Sequence, residues 1–526
     1  MSIRQRVFGC AVLFLLLLPV LFFPFGEDHF VFLRGGQVLL NGGLIYVDFY
    51  DVKPPLIFYL YAAAASVFGA SEFGVRLFDF LWQGATLASI LYVVRSVTAE
   101  EKFAFYAAGI YALTYTTLNV PMTMQCESFA ALTIPWVIYL QLHGTPSRSR
   151  TILQGAALAL ATALKYPLGI LLPAIMLYEL FVRELPWKQL LNRWLLRGAG
   201  YVLFLAVFLF PFFHPEVLNG YRRISEYLIF YASNPPLSFA FVRDGIKNIA
   251  GYFGDHYSLA LLACIGSACL YAASRASSEG KNNRINRLLG LLTVMSIFLL
   301  LSVIVERKFM PYHFSRMYVP LAVIAGIGAE KLRKRIAGAF WHSSSQIRLT
   351  AALCCGVMLI WSPLPRWIAT LPYMANSLTG HPEATDARMQ RSNPIAVPRE
   401  DIRRIERYIR LQPQQGRVVA MSMIATELYY FLNEKEFSKF IGTTLIYSVS
   451  PVRGMKAELL AEAEKAQWLI IQKNDYYPTL FGHGHSSSEM ILSDTTAAAF
   501  LHRNFVKATT IGEFDIYSRI PLQAIP

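Results

Sequence analysis

Acids and cations stand inside the most apolar stretches of this chain. The segment GEDHFVFLRGGQVLLNGGLIYVDFYDVKPPL (26–56) holds Glu27, Asp28, Asp48 and Asp51, together with Arg34 and Lys53. Glu127 sits in VPMTMQCESFAALTIPW and Lys165 in ALALATALKYPLGILL. Arg307, Lys308, His313 and Arg316 share the run ERKFMPYHFSRMYVP. A charge at the centre of a membrane helix costs about 2.5–3.5 kcal/mol on insertion scales, so each needs a reason. The plain reasons are a polar loop with ordinary helix caps, an interfacial acid that reaches water, and a lysine whose stem snorkels. The chemical reason is transfer of a group from a lipid-linked phosphate. An acid takes the proton of an acceptor hydroxyl, and basic residues hold the phosphate that leaves.

Composition says what must carry these residues. The chain has 526 residues, 55% of them hydrophobic and only 16% charged, where a soluble domain carries about 25% charged. Mean hydropathy is +0.40. A soluble enzyme, a disordered chain and a coiled coil are excluded, and a polytopic membrane protein is indicated. The net charge of +14 belongs to cytoplasmic loops in such a protein and argues for no nucleic-acid partner. All six cysteines lie in apolar stretches, which implies no disulfide framework.

A span needs about 20 mostly apolar residues. The sequence offers 7–24, 75–95, 102–119, 123–142, 152–165, 167–183, 197–213, 256–273, 288–305, 315–330 and 348–363. The first resembles a signal peptide's apolar core but lacks a small-residue cleavage site, so it reads as retained. With the N-terminus inside, every expected inner loop is short and basic: 95–102, 148–150, 183–197, 275–287 and 331–335. The loops at 148 and 184 then share a side, so 152–183 crosses twice and reverses near Lys165–Pro167 at the outer face. The outer segments are 25–74, 214–255, 306–314 and everything after about 364. The apolar stretch 55–70 lies between outer segments and reads as a re-entrant or surface-lying helix.

This topology gathers the acids and the basic run at the outer surface. An outer basic cluster runs against the positive-inside bias and calls for an anionic partner, for which phosphate is the natural choice. Residues 364–399 are Pro-rich and read as a linker. Beyond them the pattern predicts helices at 400–411, 425–434, 455–466 and 495–504. Strands are predicted at 417–423, near 437–442, at 467–473 and within 507–519, which together make a small α/β domain. His483 and His485 form a possible metal pair or, more plainly, a solvated loop. The expected organisation is a transmembrane domain over 1–363 that includes the first outer loop 25–74, a linker over 364–399, and an extracytoplasmic α/β domain over 400–526.

At these residues the chain resembles a known family. DHFVFLRGGQVLLNGGLIYVDFYDVKPPLIFYLYAAAASVFG (28–69) resembles the first periplasmic loop of bacterial GT-C glycosyltransferases of the protein O-mannosyltransferase-like family, which includes the lipid A aminoarabinose transferases. The matching features are Asp28, Gly42–Gly43, Asp48 with Asp51, and Lys53–Leu56. FGASEFGVRL (68–77), ALKYPLGILLP (163–173) and MPYHFSRMYVPLAVIAG (310–326) are similar to later elements of the family. The resemblance implies an 11–14-helix bundle and inverting transfer from polyprenyl-phosphate sugars. It implies Asp28 as the catalytic base, with Glu127 assisting, and Lys53 and Lys165 near the donor phosphate. In many relatives a Glu follows the first Asp. Here His29 does, and the neighbouring acid is Glu27, which stands as second candidate for the base.

The expectation is therefore a polytopic α-helical membrane protein of GT-C type, with about 11–13 transmembrane helices and a C-terminal extracytoplasmic α/β domain. It moves a hexosyl or pentosyl group from a polyprenyl-phosphate donor to a lipid, glycan or protein acceptor. Asp28, Glu127 and Glu27 are the catalytic candidates, and Lys53, Lys165, Arg307 and Arg316 the phosphate-binding ones. Asp48, Asp51, Arg76 and His313 support the first loop. No cofactor is fixed by the sequence, and a divalent metal stays open, with Asp28 and Glu127 as ligands. The expected place is the bacterial inner membrane, multi-pass, with a cytoplasmic N-terminus and a periplasmic C-terminal domain. A transporter or flippase of lipid-linked sugars is the alternative. It predicts inverted repeats and polar residues at the midplane, neither of which the sequence shows. A structural scaffold would leave the acids and the outer cations unexplained.

Overall fold

The structure is a computed structural model. It describes residues 1–118, 120–144, 147–183, 185–278, 284–342, 345–392, 397–423, 425–432, 438–475 and 478–521. The chain divides into two compact units, and neither is continuous in sequence. The first comprises Met1–Phe23, Ser71–Phe210 and Leu237–Thr379, the second Pro24–Ala70, Pro211–Pro236 and Gly380–Pro526.

Each of the eleven expected spans is helical. Among the described residues, four helices are long and apolar enough to cross a membrane by themselves: Ile3–Phe22, Glu72–Thr98, Trp187–Phe208 and Arg284–Glu306. Cys126–Leu142 and Tyr166–Val182 are apolar but shorter. Small residues let helices of the first unit approach closely, as membrane interfaces favour. A Cβ on Gly155 of the helix Arg148–Leu164 would lie 2.3 Å from the Arg197 carbonyl, and one on Gly200 of Trp187–Phe208 2.5 Å from that of Ile152.

Several buried charged groups in this unit are paired. The Arg197 guanidinium donates to both Glu179 oxygens, at 2.9 and 2.7 Å, while the Trp194 indole donates to the same carboxylate at 2.9 Å. Asp79 of Glu72–Thr98 accepts from the Gln83 amide of its own helix and from the Tyr115 hydroxyl of the helix Glu101–Thr116, and Arg76 donates to the Phe23 carbonyl and the Thr123 hydroxyl, each at 2.9 Å. Breaking one partner of such a network leaves a buried charge uncompensated.

The second unit holds a four-stranded sheet in the order β1-β2-β4-β3. The strands are β1 (Val418–Met421), β2 (Trp468–Gln472), β3 (Phe505–Ile511) and β4 (Phe514–Arg519). β1 and β2 run parallel, the remaining pairs antiparallel. Ile402, Ile405 and Ile409 recur at helical spacing along Arg399–Leu411 and pack on Val418, Trp468, Ile470 and Phe514. The expected strand near 437–442 is, among the described residues, an isolated bridge from Phe440 to Tyr50. The expected irregular linker contains the helices Leu364–Ile368, Leu371–Leu378 and Pro382–Ser392. Pro365, Pro372 and Pro382 stand at the first positions of these helices, where a missing N–H costs nothing, so they start helices rather than break them.

The first-loop segment supplies the helix Glu27–Leu40 and the helix Leu56–Phe68. The second has 13 residues, about 20 Å at 1.5 Å per residue, short of a 30 Å hydrocarbon core. The two pack closely through Gly36, where a Cβ would meet the Ala62 backbone nitrogen at 2.7 Å. Gly42, at φ +80°, makes the left-handed bend beyond the first helix.

Candidate functional site

In the first unit, four chain breaks bring charge together. The helix Arg148–Leu164 stops at Lys165, which turns extended just ahead of Pro167. Glu127 lies in the first turn of Cys126–Ala130, after Met124, whose left-handed backbone N–H is held by the Tyr115 hydroxyl at 3.0 Å. Glu306 ends the helix Arg284–Glu306, and Arg316 sits in the short turn Ser315–Met317 before the helix Tyr318–His342.

The four side chains form one buried ring. Lys165 Nζ lies 3.2 Å from Glu127 Oε1 and 3.1 Å from Glu306 Oε1. The Arg316 guanidinium is 2.8 Å from Glu127 Oε1, contacts Glu306 Oε2, and donates to the Ser302 hydroxyl at 3.0 Å. His313 Nδ1 stands 3.8 Å from Glu306 Oε2, and Tyr312 presents its ring 5.8 Å from Lys165 Nζ. The side chains of Glu127 and Arg316 are 0% exposed and that of Glu306 19%. Glu127 Oε2 is buried without a hydrogen-bond partner. Such a group is costly unless a ligand completes it.

Glu127, Glu306 and His313 offer oxygen and nitrogen atoms within 4.8 Å of one another, a spacing that suits a metal. As placed they do not fit one. Lys165 and Arg316 already sit 2.8–3.2 Å from the same carboxylates, where a third cation would meet two like charges.

The second unit holds the first-loop acids. Asp28 lies in the first turn of Glu27–Leu40 beside Glu27, and its Oδ2 is 3.4 Å from Lys53 Nζ. Lys53 also faces the Phe32 ring at 5.4 Å, and its carbonyl accepts from the Tyr46 hydroxyl at 2.5 Å. Asp51 is buried. Its Oδ1 accepts the Val52 N–H at 2.7 Å and its Oδ2 has no hydrogen-bond partner. Burial, against the pull of Lys53, pushes this carboxyl up to about 7. Asp48 Oδ2 accepts the Leu44 N–H at 2.8 Å and closes a turn. His29, in the place of the usual Glu, is fully buried, and its Nδ1 accepts the Gly26 N–H at 2.7 Å. It fastens the start of the helix that carries Asp28.

The residues named from sequence thus fall into two groups. Asp28, Glu27, Lys53, Asp48 and Asp51 belong to the second unit, and Glu127, Lys165, Arg307, Arg316, Arg76 and His313 to the first. His313 stands at Glu306, and Arg76 is built into the buried frame around Thr123. Arg307 follows Glu306 in a left-handed conformation, while the ion pairs of the ring run through Lys165 and Arg316. Glu306 is the member that the sequence reading missed. Its signal was a carboxylate at the very end of an apolar span, directly before Arg307 and Lys308. His483 Nε2 lies 2.8 Å from the Tyr447 carbonyl and its ring stacks on Phe481, which marks a local structural contact.

Comparison with known proteins shows a shared fold. The crystal structures of ArnT from Cupriavidus metallidurans, in the apo state and bound to undecaprenyl phosphate, share the fold with a TM-score of 0.55. They cover 99–100% of this chain and 100% of theirs, at 15% and 16% identity. The chain shares the fold of these structures and is a membrane-embedded protein. Residues 52–212 match the family model described as dolichyl-phosphate-mannose-protein mannosyltransferase. An uncharacterized protein of Aquifex aeolicus (strain VF5) is 29% identical over 213 residues, a match that takes in 38% of this chain and 48% of that protein's length. The likeness read from the first loop is borne out.

Proposed function

We propose that this chain is an inverting glycosyltransferase of the bacterial inner membrane. It moves a sugar from a polyprenyl-phosphate donor to a hydroxyl of a lipid, glycan or protein acceptor at the outer face. The observation that carries this reading is the buried pair Lys165 and Arg316, two cations meeting within hydrogen-bond reach of the same carboxylates. Buried cations persist where an anion needs them, and a phosphate oxygen takes the same hydrogen bonds as a carboxylate. The ArnT structure bound to undecaprenyl phosphate supports a lipid phosphate as the partner.

In this reading Asp28, oriented by Lys53, accepts the proton of the acceptor hydroxyl, with Glu27 as the alternative base. The acceptor oxygen attacks the anomeric carbon as the bond from that carbon to the phosphate oxygen breaks. The electron pair leaves on the phosphate, where Lys165 and Arg316 meet the growing charge. Glu127 holds both cations in place. Arg307 and Lys53 are further candidates for phosphate contact. The N-terminus is cytoplasmic and residues 400–526 are periplasmic.

The test is a deletion strain complemented with wild type or Asp28→Asn, with lipid-linked sugars and surface glycans compared by mass spectrometry. Loss of a base costs roughly 10²–10⁴ in rate. Asp28→Asn should accumulate the donor and lose the product while still binding undecaprenyl phosphate. Full transfer by that variant would remove Asp28 from the mechanism.

A further inference from the structure

The ring around Lys165 is balanced before any substrate arrives. Glu127 and Glu306 carry two negative charges, Lys165 and Arg316 two positive ones, all within 2.8–3.2 Å contacts besides the Arg316–Glu306 pair. A lipid phosphate that joined this ring unchanged would leave a buried net negative charge, which is costly. One carboxylate must give way.

The two acids differ in how firmly they are held. Glu127 is completely enclosed, whereas the Glu306 side chain is 19% exposed. Glu306 is the last residue of its helix, where the backbone dipole is negative and repels an anion. The chain directly after it is unusual. Arg307 and Phe309 both hold left-handed backbone conformations, at φ 60° and 49°, that residues with a side chain rarely adopt. Its two cations are what keep Glu306 in the ring.

We infer that Glu306 is an internal stand-in for the donor phosphate: it occupies the Lys165–Arg316 pair at rest, swings out when the lipid phosphate binds, and returns to expel the product. This rests on the phosphate-binding reading of the same pair. Its use lies in release. The donor is a phosphodiester with one negative charge, whereas the polyprenyl phosphate left after transfer carries up to two. Bare cations would hold the product more tightly than the donor. A competing carboxylate tethered beside them lowers the affinity for both and shortens the product's stay.

The experiment measures undecaprenyl phosphate binding to the purified full-length chain in detergent. Wild type is compared with Glu306→Gln, Glu306→Asp and Glu127→Gln, and folding is checked by size exclusion and melting temperature. Glu306→Gln should bind about tenfold more tightly than wild type, and Glu306→Asp, whose carboxylate is withdrawn by one methylene, by a smaller factor. Damage to the fold does not tighten binding. If Glu306→Gln does not fold, tightening in Glu306→Asp carries the test. Affinity in the folded Glu306 variants equal to or weaker than wild type overturns the inference alone. So does tightening confined to Glu127→Gln. A wild type that does not bind undecaprenyl phosphate overturns this inference and the function proposed above together.

Discussion

Single side chains in this protein are read by what burial leaves unfinished. Asp51 is enclosed with one oxygen unpartnered, and its carboxyl stands near 7 where an ordinary aspartate stands at 3.8. The folded chain therefore keeps the Asp51 proton at pH values where the unfolded chain has lost it. The stability this brings is complete below about pH 4 and fades as pH rises through about 7. Asp51→Asn cannot ionise and has no such fade. Its melting temperature should gain on that of wild type between about pH 5 and pH 8, as scanning fluorimetry would record, and an unchanged gap would show that Asp51 ionises freely. Asp28 and Lys53 were legible in the sequence as site candidates because both lie in the first outer loop among aromatics and glycines. Glu306 was not, because a carboxylate that ends a span looks the same whether it faces water or a pair of cations from other helices. His29 shows the opposite case. It looked like a departure that weakened the acidic site, and it is the acceptor that anchors the start of the Asp28 helix.

At the scale of elements, periodicity and loop charge were enough to find the helices. All eleven expected spans are helical because long apolar runs between basic loops leave the backbone no other way to satisfy itself in lipid. The helices within 364–399 were hidden because proline was taken as a breaker, although Pro365, Pro372 and Pro382 stand in first turns. The strand near 437–442 failed for another reason. Its partner is Tyr50, nearly four hundred residues away in sequence, and the contact is a single bridge. Close helix packing gives a prediction at this scale. A Cβ on Gly36 would strike the backbone of Ala62, which cannot move aside as a side chain can. Gly36→Val should destabilise the chain by about 1–3 kcal/mol, the usual cost of overpacking. It should also lower transfer by displacing the Asp28 helix, with melting temperature and activity measured on the same preparation. A variant as stable and active as wild type would mean that the two helices separate without cost.

On the scale of the whole molecule, the alternation of basic loops predicts a topology that chemistry can check. In a cysteine-free background, cysteines placed at Arg150 and Lys188 should react with impermeant maleimides only from the cytoplasmic side, and one at Lys507 only from the other. The reverse pattern would invert the orientation and put the first loop in the wrong compartment for a lipid-linked donor. What sequence could not reveal is that the second unit is assembled from three distant stretches. Phe25 and Phe30 of the first loop pack on Tyr430 and Phe431, Arg399 donates to the Phe25 carbonyl at 2.9 Å, and Arg223 pairs with Glu458. The ribosome must therefore add more than three hundred residues after Ala70 before that stretch meets its partners, roughly 15–60 s at ordinary elongation rates. For that interval the nascent acidic loop stands uncovered, an opening for proteases and for a chaperone to fill, and a message cut short before codon 380 yields a chain that has no means of closing it.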